Sequence, residues 1–138
     1  MSLETRVSIA EAEQLVKEAF LRNGVKEAVA VSVSTALVAA EAEGQVGHGF
    51  SRVKDYLAQV KSKKINVDAK IQIEHPKPTS ISIDADYGFA YPALDQAISE
   101  GALTAKEYGS AIVSIFNSHH CGALSVQVEK IANQGLIG

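Results

Sequence analysis

Hydrophobic residues along the first sixty positions recur every three or four residues, the period of an amphipathic helix. Ala12, Leu15, Val16, Ala19 and Phe20 form one such stripe. It is preceded by Ser8-Ile9-Ala10-Glu11, a capping box in which the Ser8 hydroxyl and the Glu11 carboxylate satisfy free backbone N–H groups. Asn23-Gly24 marks its end. A second stripe, Val29, Val33, Ala36, Leu37 and Ala40, predicts a helix from about Lys26 to Glu43, closed by Gly44. The short connection predicts that these two helices pack as an antiparallel pair. Gly44-Gln45-Val46-Gly47-His48-Gly49 then breaks the pattern with three glycines in six residues. A third helix follows, with Phe50, Val53, Tyr56, Leu57 and Val60 on one face, to about Ser62.

After Lys64 the period changes to two. Lys70-Ile71-Gln72-Ile73-Glu74 and Ser80-Ile81-Ser82-Ile83-Asp84 alternate as half-buried strands do. His75-Pro76-Lys77-Pro78 between them reads as a turn, since neither proline can donate to a ladder. A helix from about Gly88 to Leu103 leads to Ala111-Ile112-Val113-Ser114-Ile115-Phe116, whose continuous apolar character predicts an interior strand. The loop Asn117 to Cys121 enters a helix from about Gly122 to Asn133, and Gly135-Leu136-Ile137 predicts the start of another strand. The fold class is therefore α/β, with a helical segment over residues 1–64 and an α/β segment over 65–138. A strand beginning at the last residues implies an incomplete unit.

Composition narrows the classes of function. The 138 residues are 46% hydrophobic and 21% charged, values typical of a globular domain rather than a disordered chain. The net charge of −3 and the scattered basic residues provide no face for a nucleic-acid backbone, and Lys61, Lys63 and Lys64 read as a solvated helix end. The lone Cys121 points to a reducing compartment. Met1-Ser2-Leu3-Glu4 lacks the basic-then-apolar pattern of a signal peptide. The most apolar stretch, Ala28 to Ala42, is too short and too polar to span a bilayer. A cytoplasmic protein without membrane or nucleic-acid partners is the expectation.

Two segments place histidines among glycines in loops beside helix starts. In Gly47-His48-Gly49-Phe50-Ser51-Arg52, His48 and Arg52 are spaced to project to one side of a first helical turn. An imidazole exchanges a proton near neutral pH, and a guanidinium grips a carboxylate with two hydrogen bonds. A 2-oxo acid needs both, although on pattern alone a loop histidine beside an unrelated arginine is the commoner explanation. Ser118-His119-His120-Cys121-Gly122-Ala123 lies where an apolar strand meets a helix N-terminus, a position that favours ligands and anions. On pattern alone a surface histidine pair explains it equally well. No metal is expected: adjacent histidines point apart, and neither a C-x-x-C nor an H-x-x-x-H spacing occurs. Cys121 fits a small junction residue better than a nucleophile. Neither G-x-G-x-x-G nor a P-loop is present.

In the order and spacing of these features across nearly all 138 residues, the chain resembles the malate/L-lactate dehydrogenase family. The resemblance rests on the capped first helix, the second helix ending Ala40-Glu41-Ala42-Glu43-Gly44, the Gly-His-Gly-x-x-Arg segment, and Asn117 to Ala123. Relatives include sulfolactate, ureidoglycolate and diketogulonate enzymes and Δ1-piperideine-2-carboxylate/Δ1-pyrroline-2-carboxylate reductases. The resemblance implies part of a mixed-sheet, non-Rossmann cofactor-binding domain, with NAD(P)H as cofactor, a small carboxylate substrate and a homodimer. It also implies that His48 donates a proton to the substrate, that Arg52 binds its carboxylate, and that His120 lies by the nicotinamide as a second acid–base candidate. The backbone of His119, His120, Cys121, Gly122 and Ala123 would contact the cofactor. Many members carry serine where this chain has Gly47, so the relay to His48 would rest on an aspartate from elsewhere or on water.

The implied reaction reduces a 2-oxo acid or, alternatively, a cyclic imino acid. Members of the family are roughly twice this length or more, so the isolated 138 residues are expected to be inactive. A non-catalytic α/β binding module is the alternative of another class. It would tolerate any distance between the histidines, whereas a shared site requires His48 and His120 within roughly 15 Å, the span of a small-acid pocket.

Overall fold

The computed structural model describes residues 5–138; Met1–Glu4, read above for a signal pattern, lie outside the described residues. Helices α1 (Ile9–Leu21), α2 (Glu27–Ala42) and α3 (Ser51–Lys61) precede strands β1 (Gln72–Lys77) and β2 (Ser80–Asp84), helix α4 (Ala90–Tyr108), strand β3 (Ile112–Phe116) and helix α5 (Leu124–Ala132). The α/β expectation holds. The Ser8–Glu11 capping box forms in both directions: Glu11 N–H donates to Ser8 Oγ at 3.2 Å, and Ser8 N–H donates to Glu11 Oε2 at 2.8 Å.

The stripes of α1, α2 and α3 meet in one core that also takes in Ile65 and, from the entry to α4, Phe89 and Tyr91. Phe20, Val33 and Leu37 are fully buried there, each worth about 1.5–3 kcal/mol relative to exposure. Phe89 receives Phe20 and Tyr56 edge-on, with ring centroids 5.7 and 5.8 Å apart. Leu15, placed on the buried stripe of α1 by its spacing, is instead 60% exposed. It borders a shallow apolar groove with Val7, Phe50 and Val53, where α3 approaches α1 without covering it.

The three strands form one mixed sheet in the order β1-β2-β3, antiparallel then parallel. Ile81 and Ile83 of β2 stand beside Val113 and Ile115 of β3, and α4 covers them with Ala93 and Ala97. The second core is this layer. Several boundaries differ from expectation. His75, Pro76 and Lys77 belong to β1, with the turn at Pro78-Thr79. The pairing register shifts between Glu74 and Lys77, and the irregularity on an edge strand accommodates Pro76 without a ladder bond. Helix α4 continues past Leu103 to Tyr108 and ends on Gly109 in the left-handed conformation. Among the described residues β3 ends the sheet: one face packs on α4, and Ile112 on the other face is 75% exposed. Residues 136–138 form no strand; turns follow α5 instead.

Ser32 of α2 donates a hydrogen bond to Asp95 of α4, whose other oxygen accepts from Lys130 of α5 at 2.7 Å. This tie holds the three helices in register around the two histidine loops.

Candidate active site

The loop between α2 and α3 winds through successive three-residue turns, with His48 N–H donating to Gln45 O at 2.8 Å and Arg52 N–H to Gly49 O at 3.0 Å. α3 begins only at Ser51, so His48 sits ahead of the helix rather than on its first turn. Glu41, from the end of α2, reaches across to the entry of α3: its carboxylate accepts from Phe50 N–H at 2.8 Å. A methyl group on Gly49 would lie 2.1 Å from that carboxylate and 2.9 Å from Glu41 Cα, so this close approach requires glycine.

The second loop leaves β3 through Asn117, in the left-handed region at φ 50°. Its side-chain amide donates to Asp84 at 3.1 Å, and its carbonyl accepts from Tyr87 N–H at 2.7 Å. Asparagine tolerates this conformation because its side chain bonds locally. Gln45 and Glu43, at the end of α2, both bond Ser125 at the start of α5, at 2.7 and 2.8 Å. The two loops are thereby fastened together.

The result is that the imidazoles of His48 and His120 stack, with centroids 5.4 Å apart and planes 11° from parallel. This is well inside the separation a shared site requires. Arg52 lies close by. Its Nε donates to Gly47 O at 2.6 Å and its Nη1 is 3.6 Å from Asp55, so Nη2 is drawn into neither contact. Partial desolvation of the ring holds His120, an exposed residue, below the ordinary imidazole value, and the positive charges of Arg52 and His48 press in the same direction. Its Nδ1 meets Tyr56 Oη at 2.8 Å and accepts from Gly122 N–H at 3.3 Å. Tyr56 Oη is 2.9 Å from Tyr91 Oη, and burial raises both phenols.

The other expected residues divide. His119 keeps a buried Nε2 without a partner among the described residues, as does His48 at Nδ1. Gly122, at φ 72°, runs beneath Tyr91, whose hydroxyl oxygen would lie 2.5 Å from an added Cβ. Cys121 is half-buried, with no disulfide partner. The Ala123 side chain turns away from the histidines to pack with Ala40 and Val126, leaving only its backbone at the loop. Sequence reasoning placed Tyr56 in the core and passed over Tyr91 and Glu41. The available signal was that a buried tyrosine usually finds a partner for its hydroxyl.

The family model described as malate/L-lactate dehydrogenase matches residues 7–138. The chain is 37% identical over 131 residues to a (2R)-3-sulfolactate dehydrogenase (NADP(+)) of Chromohalobacter salexigens, covering 95% of this chain and 39% of that protein. It is 33% identical over 136 residues to a Δ1-pyrroline-2-carboxylate/Δ1-piperideine-2-carboxylate reductase of Pseudomonas putida, covering 99% of this chain and 40% of that one. The crystal structure of Δ1-piperideine-2-carboxylate reductase from Pseudomonas syringae pv. tomato superposes with a TM-score of 0.91 at 32% identity, over 96% of this chain and 40% of that one. The chain thus spans about two-fifths of the length of these relatives. Among the described residues no helix is long and apolar enough to cross a membrane.

Proposed function

The chain belongs to the malate/L-lactate dehydrogenase family, and from that premise we propose that it supplies the N-terminal part of an NAD(P)H-dependent oxidoreductase acting at C2 of a small 2-oxo or 2-hydroxy acid. The observation that carries this reading is the stack of His48 on His120, at 5.4 Å, beside the Arg52 guanidinium. A proton source and a carboxylate clamp are thereby brought together. A binding module without chemistry would place no such demand on residues 72 positions apart.

The chemistry of the second loop fits the cofactor. The unpartnered nitrogen of His119 and the N-terminus of α5, which no side chain caps, offer hydrogen-bonding groups to a ligand carrying amide and phosphate oxygens. The backbone of His119, His120, Cys121, Gly122 and Ala123 would hold it, and the bound nicotinamide would supply a hydride to C2. Arg52 would hold the substrate carboxylate. His48 would give its proton to the oxygen that becomes the hydroxyl, and neutral His120 would donate a hydrogen bond from Nε2. On this division residues 1–64 carry the proton donor and the clamp, and residues 65–138 present the cofactor backbone.

Reduction of a cyclic imino acid is the second reading, with His48 donating to the imine nitrogen. The names of the two reductase relatives favour it. We further infer a homodimer in a reducing, cytoplasmic setting; the first rests on the family resemblance, the second on the single free Cys121. A screen of NADH and NADPH oxidation by the full-length protein against 2-oxo acids and cyclic imino acids tests the assignment. Turnover of one of these classes supports it, whereas cofactor oxidation with neither contradicts it.

A further inference from the structure

Tyr56 and Tyr91 are almost completely buried, at 2% and 1% exposure, yet their hydroxyls face each other rather than a purely apolar core. Phenylalanine would fill the same volume without two buried hydroxyls to satisfy. The direction of their hydrogen bonds follows from Gly122. A backbone N–H can only donate, so His120 Nδ1, which receives it at 3.3 Å, carries a lone pair. Tyr56 must then donate its own proton to Nδ1, at 2.8 Å, and its oxygen is left to accept from Tyr91 at 2.9 Å. The imidazole proton is left on Nε2. Glycine at position 122 is part of the device, because a side chain there would collide with the Tyr91 hydroxyl.

We propose that the Tyr91–Tyr56 pair is a positioning device that locks His120 in its neutral Nε2–H tautomer and holds its ring parallel to His48. The proposal rests on the reading of His120 as a site residue and adds how its protonation is set. The groups that face the ring or act on it are His48 from the first loop, Arg52 and Tyr56 from α3, and Tyr91 of α4 through Tyr56. Neither phenol is a proton donor to substrate. Their part is to keep Nδ1 occupied, so that Nε2 is the nitrogen offered outward.

The test is ¹H–¹⁵N long-range NMR of the full chain with ¹⁵N-labelled histidine rings, His120 being identified by the signals lost in His120→Gln. The expected result is a wild-type His120 protonated at Nε2. Tyr56→Phe is expected to give mixed tautomers and a titration midpoint raised by roughly half a unit to one unit, the value of one hydrogen bond. Tyr91→Phe, which leaves the Tyr56 donor in place, is expected to move His120 by a smaller amount. If Tyr56→Phe fails to fold, a partial shift in Tyr91→Phe supports the proposal and no shift overturns it. A folded Tyr56→Phe with unchanged tautomer and midpoint also overturns it, whatever its melting temperature. A tautomer shift without loss of hydride transfer in the full-length protein supports the positioning device and instead refutes His120 as a site residue.

Discussion

At the scale of single residues, His120 and Gly47 give the sharpest predictions. The folded protein favours neutral His120, chiefly through partial desolvation of its ring and then through Arg52 and His48. A histidine depressed below its ordinary value of 6.5 contributes stability that is present above that pH. The contribution is lost as pH falls from 6.5 through the folded value, because the unfolded chain takes up the proton first. Urea unfolding at stepped pH is therefore expected to show a loss of stability below 6.5 that is smaller in His120→Gln. Equal pH slopes in the two proteins would remove the charge argument. Gly47 leaves open space where a Cβ would stand, and the neighbouring His48 Nδ1 is buried without a partner among the described residues. Gly47→Ser is expected to fold with stability within about 0.5 kcal/mol of wild type, as unobstructed surface changes do, and thermal melting checks it.

Between elements, what brings the two histidines together is the end of α2. Glu41 holds the entry of α3 through Phe50 N–H, and Gly49 is the residue that lets α2 come so close. Gly49→Ala would press a methyl group against the Glu41 backbone as well as its carboxylate, and backbone cannot swing aside. The expected cost is roughly 1–3 kcal/mol, as for overpacking elsewhere, together with a weakened His48–His120 contact. Denaturant unfolding measures the first. Gly47→Ala, two residues away with nothing to strike, is the matched control; equal losses in the two variants would mean that the close approach of α2 is not what matters. The helices were legible because amphipathic spacing is a local property. The bond from Phe50 N–H to Glu41 was not, since the two residues belong to different elements.

For the molecule as a whole, two cores meet at the entry to α4, and the site lies on the side where both histidine loops gather. A cavity of about 640 Å³ lies elsewhere, between α4, β3 and α5, with Ile98, Val113 and Ile131 in its wall. The Gln127 amide is buried at its edge without a partner among the described residues. Sequence patterning foresaw the α/β order and the candidate histidines, because glycines and a strand-to-helix junction are local signals. It predicted β3 as interior from an apolar run that does not reveal how many faces are covered; among the described residues Ile112 and Phe116 remain outward. It also misplaced the β1–β2 turn, where Pro76 is tolerated only because β1 is an edge. The phenol pair was invisible for a third reason: Tyr56 and Tyr91 are 35 residues apart and meet only in the fold.

We propose that His48, Arg52 and His120 form one reducing site in which His48 delivers the proton. Single-turnover hydride transfer in the full-length protein, wild type against His48→Ala, beside a fluorescence titration of NAD(P)H binding, tests this. Transfer is expected to slow by roughly 10²–10⁴-fold, the usual contribution of a positioned general acid, with cofactor affinity unchanged. Transfer at the wild-type rate, or loss of cofactor binding in its place, would contradict it.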